Sequence, residues 1–153
     1  MKNIKYISPD GEVVENPNIE TLFRLISTLH EEYWGSESGQ GSLIWYSDKK
    51  SPLASLLLTF SSKYGFYLEH IDERIKYDSH IALGEGDLTH ENATEVFICG
   101  EALLLPSAFF IPANQVCLAV KEFLDSGNKV TDIKWVKERS LGWDYGDPEG
   151  FVQ

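Results

Sequence analysis

Three segments with the composition of strands follow one another between residues 53 and 83, with only short polar connections between them. Leu53–Phe60 is an apolar run, and the five residues Ser-Ser-Lys-Tyr-Gly separate it from Phe66–Ile71. After Asp-Glu-Arg, the segment Ile75–Leu83 alternates apolar and polar residues, which is the pattern of a strand with one solvated face. Consecutive strands joined by short connections favour antiparallel pairing. The stretch therefore predicts an antiparallel meander, and this restricts the folds that the whole chain can adopt.

Four further segments have the composition of strands. They are the short run at 42–46, the pair at 94–99 and 101–105, and a run at 131–136. Gly100, between the two members of the pair, indicates a bulge or a tight turn.

Two segments show helical periodicity instead. The first has one apolar stripe over about four turns, with Asn18 as its cap and Gly35 at its end. The second begins near Pro112 and ends at Gly127, where a left-handed residue is favoured. The stripes consist of Ile19, Leu22, Phe23, Ile26, Leu29 and Tyr33 in the first helix, and of Val116, Ala119, Val120, Phe123 and Leu124 in the second.

Two amphipathic helices and about six or seven strands predict an α+β domain, mainly an antiparallel sheet packed with the helices. The 153 residues are close to the usual size of one domain, about 100–150 residues. No repeat and no long linker divides the chain. We therefore expect a single domain over residues 1–153.

Charge limits the partners of this chain. It has 13 Lys and Arg against 24 Asp and Glu, a formal net charge of −11. Phosphates of nucleic acids or of anionic membranes would repel such a surface, so neither is expected as a partner, whereas a basic protein would be complementary. No segment approaches the roughly 20 apolar residues of a membrane span, and the first residues lack a signal-peptide pattern. We expect a cytoplasmic protein of undetermined oligomeric state.

The acidic residues are unevenly distributed. No Lys or Arg occurs from Tyr77 to Val120, and none follows Arg139. The second region mixes carboxylates with aromatic residues, a composition found at protein interfaces, although acidic residues also simply keep a protein soluble. The predicted partner-binding residues are Asp78, Glu85, Asp87, Glu91, Glu95, Glu101, Trp143, Asp144 and Tyr145.

Catalytic and cofactor motifs are not evident, so we predict no enzyme, no cofactor and no metal. The glycine-rich segment at 84–87 carries carboxylates and no Lys, which is unsuited to phosphate, and it lacks the calcium-loop pattern. Cys99 and Cys117 are expected to be buried free thiols. The alternative hypotheses are a small metal-dependent hydrolase using His70, His80 and nearby carboxylates, and a general protein-interaction module.

The second half of the chain resembles immunity protein family 1 of bacterial polymorphic toxin and contact-dependent growth inhibition systems. The family pattern is a proline that opens a helix, Glu-Phe near the helix end, a glycine, and a tryptophan about eight residues later. Here these positions are Pro112, Glu122-Phe123, Gly127 and Trp135, and the similarity covers roughly residues 43–137. The residues that carry it are Leu105-Pro106, Phe110-Ile111-Pro112, Val120-Lys121-Glu122-Phe123-Leu124, Ser126-Gly127 and Asp132-Ile133-Lys134-Trp135.

The resemblance implies an antitoxin that binds the C-terminal domain of a cognate toxin and neutralises it by stoichiometric complex formation. The toxins of such systems attack nucleic acid, as nucleases or deaminases, and need a basic cleft for phosphates. An acidic protein is complementary to such a cleft, and complementary potentials accelerate association.

Overall fold

The computed structural model describes residues 3–28, 31–35, 39–76, 78–89, 91, 93–98 and 101–137. A sheet of seven strands forms its centre, in the order β2-β1-β3-β4-β5-β6-β9, and every neighbouring pair is antiparallel. The strands are β1 (Ile4–Ile7), β2 (Val13–Glu15), β3 (Gln40–Tyr46), β4 (Pro52–Ser61), β5 (Gly65–Asp72), β6 (Ser79–Leu83) and β9 (Lys134–Lys137). The remaining two, β7 (Thr94–Ile98) and β8 (Glu101–Leu105), pair with each other in a separate antiparallel sheet.

The helices are α1 (Ile19–Thr28), the four-residue α2 (Glu31–Trp34) and α3 (Ala113–Ser126), with a short 3₁₀ helix at Ser107–Phe109. The predicted α+β class, with a mainly antiparallel sheet and two amphipathic helices, is confirmed. No helix in the described part of the chain has the length and apolar character that crossing a bilayer requires.

The two faces of the large sheet have different cores. Along β5, Phe66 and Leu68 contribute to a cluster with buried residues of α1 and α3. Tyr67, between them, belongs to a second cluster with Val96 of β7, Leu105 of β8 and the 3₁₀ helix. Because successive strand residues point to opposite faces, the helices α1 and α3 cover one face and the β7–β8 hairpin packs on the other.

The helix ends follow the sequence closely. The side-chain oxygen of Asn18 accepts bonds from the backbone N–H groups of Glu20 and Thr21, at 2.8 and 3.2 Å. At the end of α3, Gly127 adopts a φ of 76° and its N–H donates to the Phe123 carbonyl. In place of the helix predicted with Asn18 as its cap and a stripe from Ile19 to Tyr33, the structure has α1 and α2. Residues 29 and 30, between them, lie outside the described part.

The strand predicted to begin at Ile75 begins at Ser79 instead, and the prediction was wrong there. Asp72 takes part in a turn, since its carboxylate accepts bonds from the backbone N–H and the guanidinium of Arg74. Ile75 donates its N–H to the Asp72 carbonyl and is 57% exposed. The turn uses the N–H of Ile75, which a strand starting there would need for its own pairing, so the alternating pattern does not start a strand at Ile75.

β1 and β2 were not predicted from the sequence. Ile4 and Tyr6 alternate with half-buried neighbours in β1, which is a strand signal, but only over four residues. All three residues of β2 are exposed, so no apolar periodicity marks that strand.

Candidate functional site

A loop that presents carboxylates leaves β6 and is held against a distant part of the chain. We call residues Gly84 to Leu88 the acidic loop. The N–H of Gly84 donates to the Ala108 carbonyl at 2.7 Å, and the N–H of Ala108 donates to the Asp87 carbonyl at 2.9 Å. The Asp87 N–H donates to the hydroxyl of Ser107 at 2.8 Å. Both ends of the segment 84–87 are therefore bonded to the 3₁₀ helix.

The two glycines of the acidic loop permit this close approach. A Cβ atom added to Gly84 would lie 2.2 Å from the Phe110 carbonyl oxygen. A Cβ added to Gly86 would lie 2.5 Å from the Ser107 hydroxyl and 2.7 Å from the Ser107 carbonyl carbon. Any side chain at either position would force the loop away from the segment that holds it.

The segment that holds the loop is itself part of the core. Ala108, Phe109 and Phe110 are each at most 4% exposed. They belong to the same cluster as Tyr67 and Ile81 of the large sheet. The acidic loop is thus attached to a well-packed scaffold through a short, buried connection.

The acidic loop presents two carboxylates and one apolar side chain. Glu85 and Asp87 are exposed, and Leu88, beside Asp87, is 40% exposed. Glu91, three residues further on, is exposed as well. An accessible apolar group bordered by carboxylates suits a partner surface with a small apolar patch bordered by basic residues.

Asp78 lies apart from the acidic loop. It precedes β6, whereas Glu85 follows it, and an extended strand of this length separates them by roughly 20 Å. Its carboxylate oxygen lies 4.0 Å from the Lys137 ammonium and 3.9 Å from Nδ1 of His80. Asp78 is therefore partly compensated, unlike a free surface carboxylate.

The other predicted partner-binding residues occupy further places. Glu95 is exposed on β7, where its Cα pairs with that of Leu104. Glu101 begins β8 opposite Ile98, and its side chain is outside the described part. The predicted residues Trp143, Asp144 and Tyr145 also lie outside the described residues. The structure thus groups Glu85 and Asp87, with Glu91 nearby in sequence.

Beside the base of the acidic loop lies a groove of about 460 Å³. Glu85 borders it on one side, the N-terminal end of α3 at Pro112 and Gln115 on another, and Asp132 and Lys134 on a third. Asp132 was named only as part of the family resemblance and was not predicted as a partner-binding residue, because a single acidic residue in a predicted strand gives no local signal of a site. The groove places a second carboxylate near Glu85, with one Lys beside it.

The two histidines of the hydrolase hypothesis are neighbours in the sheet. His70 of β5 and His80 of β6 face each other in the register. His70 is 4% exposed, and its Nε2–H donates to the Gly127 carbonyl at 2.8 Å. Burial lowers the pKa of His70. It also lowers the pKa of His80, which is less deeply buried. Among the described residues, however, no three His, Cys, Asp or Glu side chains come together as a metal centre, whereas a catalytic zinc usually has three protein ligands.

Cys117 on α3 is a half-buried free thiol, and Cys99 lies outside the described residues. Compared with known proteins, the chain matches no family model, and no curated protein is a significant match. The resemblance to immunity protein family 1 therefore stays a prediction.

Proposed function

We propose that this protein is a cytoplasmic immunity protein that binds a basic, nucleic-acid-attacking toxin domain and neutralises it by forming a stoichiometric complex. The observation that carries the proposal is the acidic loop, whose carboxylates are exposed while its backbone is bonded to the core at both ends. It supports recognition of a cationic protein surface without any catalytic step by this chain.

Electrostatics favours such a pair. The net charge of −11 repels nucleic acid but attracts a domain that binds phosphates. Long-range attraction of this kind raises association rates toward about 10⁸–10⁹ M⁻¹s⁻¹ at low salt. Fast association suits an antitoxin, because each free toxin molecule acts many times.

The rigidity of the acidic loop also favours the proposed toxin binding. Ordering a loop on binding reduces the affinity that its contacts would otherwise provide. Here the hydrogen bonds to Ser107 and Ala108 order the loop before any partner arrives. We assign Leu88 as the apolar contact and Glu85 and Asp87 as the charged residues around it.

The remaining acidic residues take secondary places in this proposal. Asp78 is compensated by Lys137, and Glu95 lies on β7. We expect these residues to contribute to the overall negative field and less to direct contacts.

The experiment uses the C-terminal domain encoded by the gene immediately upstream, purified and mixed with this protein. We expect a stable one-to-one complex whose association, followed by stopped-flow fluorescence, slows steeply with salt. The Glu85→Gln/Asp87→Asn variant should associate about tenfold more slowly at low salt, since charges at the interface act mainly on the association rate.

A matched control removes the same charge elsewhere. Glu12 and Glu15 are exposed beside and within β2, at the far edge of the sheet. The Glu12→Gln/Glu15→Gln variant should associate nearly at the parent rate. Equal slowing in both variants would show that only net charge matters, and parent-like association of the loop variant would disprove the acidic-loop assignment. Absence of any complex, with no protection of cells that express the domain, would refute the immunity role itself.

A further inference from the structure

A pair of imidazoles lies at the end of β6 that is remote from the acidic loop. His70 and His80 are opposite each other on adjacent antiparallel strands, so both side chains leave the same face of the sheet. Residues paired in this way have Cβ atoms about 4.5–5.5 Å apart. That separation allows the two imidazoles, one from each strand, to contact the same small ligand.

Each imidazole of this pair has an unsatisfied nitrogen. Nδ1 of His70 and Nδ1 of His80 are buried, and neither has a hydrogen-bond partner among the described residues. His70 as a whole is only 4% exposed. Buried polar atoms nearly always have a partner, so two such atoms on facing residues require an explanation.

The hydrogen bond of His70 determines which of its nitrogens is available. The Gly127 carbonyl can only accept, so Nε2 carries the proton and the lone pair of a neutral His70 is on Nδ1. Histidines that bind metal typically donate their other N–H to a carbonyl or carboxylate, which orients the ring and selects the tautomer. The Gly127 carbonyl, held at the end of α3, fulfils that role here.

We infer that His70 and His80 form a binding site for a divalent transition-metal ion of the Cu²⁺, Ni²⁺ or Zn²⁺ class, ligated through the two Nδ1 atoms. Imidazole nitrogen is a preferred ligand of these ions, whereas Mg²⁺ and Ca²⁺ require oxygen. With two protein ligands and water in the other positions, the site is a binding site and not a catalytic centre. This inference is independent of the proposed toxin-binding function.

One carboxylate and two ammonium groups surround the pair of imidazoles. The Asp78 carboxylate lies 3.9 Å from Nδ1 of His80, so its negative charge would favour a cation bound there. Lys129 is close enough to influence both histidines electrostatically, and Lys137 influences His80. These ammonium groups weaken the binding of any cation. His80 and Asp78 have side chains 20% and 18% exposed, which leaves an entry path from solvent.

The test is titration of the intact protein with CuCl₂, NiCl₂ and ZnCl₂, each followed by calorimetry. We expect one equivalent to bind, with Cu²⁺ tightest. The ring of Trp135 lies 6.4 Å from that of His70, so bound Cu²⁺ should quench tryptophan fluorescence. Electron paramagnetic resonance of the Cu²⁺ complex should show nitrogen ligation.

Variants distinguish this site from incidental binding. His80→Ala should weaken binding at least tenfold, Asp78→Asn severalfold, and Lys137→Gln should strengthen it severalfold because a competing cation is removed. His30→Ala/His90→Ala removes the chain's other two histidines and should leave binding unchanged. His80→Ala carries the test because His80, unlike His70, is partly exposed.

Two results would overturn the inference. One is the absence of a stoichiometric, saturable heat with all three ions. The other is binding that survives His80→Ala or disappears in His30→Ala/His90→Ala. Circular dichroism of each variant shows whether it is folded, so loss of binding is assessed only on a native protein.

Discussion

The contact between the acidic loop and the buried 3₁₀ segment makes Gly84→Ala a specific perturbation. A Cβ at residue 84 would be 2.2 Å from the Phe110 carbonyl oxygen, whereas ordinary contact begins at 3.4 Å. The backbones would therefore have to separate by roughly 1 Å. Phe110 is 4% exposed, so this movement occurs against a packed core and not against solvent.

Two contributions determine the expected loss of stability. Inserting a methyl group into a well-packed region costs about 1–3 kcal/mol. Separating the segments also weakens the bond from the Gly84 N–H to the Ala108 carbonyl, and a hydrogen bond of this kind contributes about 0.5–1.5 kcal/mol. We expect Gly84→Ala to lower the free energy of unfolding by about 2–4 kcal/mol, which is a large part of the 5–15 kcal/mol typical of a domain.

Urea denaturation monitored by circular dichroism measures this change as a lower midpoint at an unchanged slope. Glu85→Ala is the control, because Glu85 is exposed and adjacent, and surface substitutions usually change stability by less than about 0.5 kcal/mol. Gly84→Ala and Glu85→Ala variants of equal stability would refute the reasoning. That result would mean the loop is not held against Phe110 in solution.

Two further predictions concern α1 and α3. Asn18→Ala removes the acceptor of the Thr21 N–H and should cost about 0.5–2 kcal/mol in urea denaturation; a change below about 0.3 kcal/mol would contradict the capping role. Burial raises the pKa of the Cys117 thiol, against a smaller opposite effect of its bond to Ser27. Less thiolate is therefore present at a given pH, and in a Cys99→Ser variant iodoacetamide should alkylate Cys117 more slowly when the protein is folded than in urea. Equal rates in the two states would show that the thiol is not shielded.

Much of the fold was predictable because local signals agreed with tertiary packing. Pro112, the apolar stripe ending at Leu124, and Gly127 marked α3, and the structure has the helix between them. The failure at Ile75 has a local cause, since the side chain of Asp72 bonds the turn. An alternating pattern does not reveal that competition.

The candidate site was predictable in composition and not in arrangement. Glu85 and Asp87 were identified from charge alone, and the structure adds that they share one anchored loop. Asp78 was grouped with them because it is close in sequence, but it lies at the other end of strand β6. Proximity in sequence does not predict proximity in space here, because an extended strand advances by about 3.3 Å per residue.

Sequence alone determined the α+β class, the second amphipathic helix and the acidic character of the surface, since these follow from composition and periodicity within short windows. Only the tertiary structure explains the requirement for Gly84 and Gly86. It also determines which carboxylates lie on one rigid loop, and it places His80 opposite His70 beside the Gly127 carbonyl. Each of those contacts joins residues that are ten or more positions apart. Such contacts depend on strand register and packing, and neither property is encoded in any local stretch of the chain.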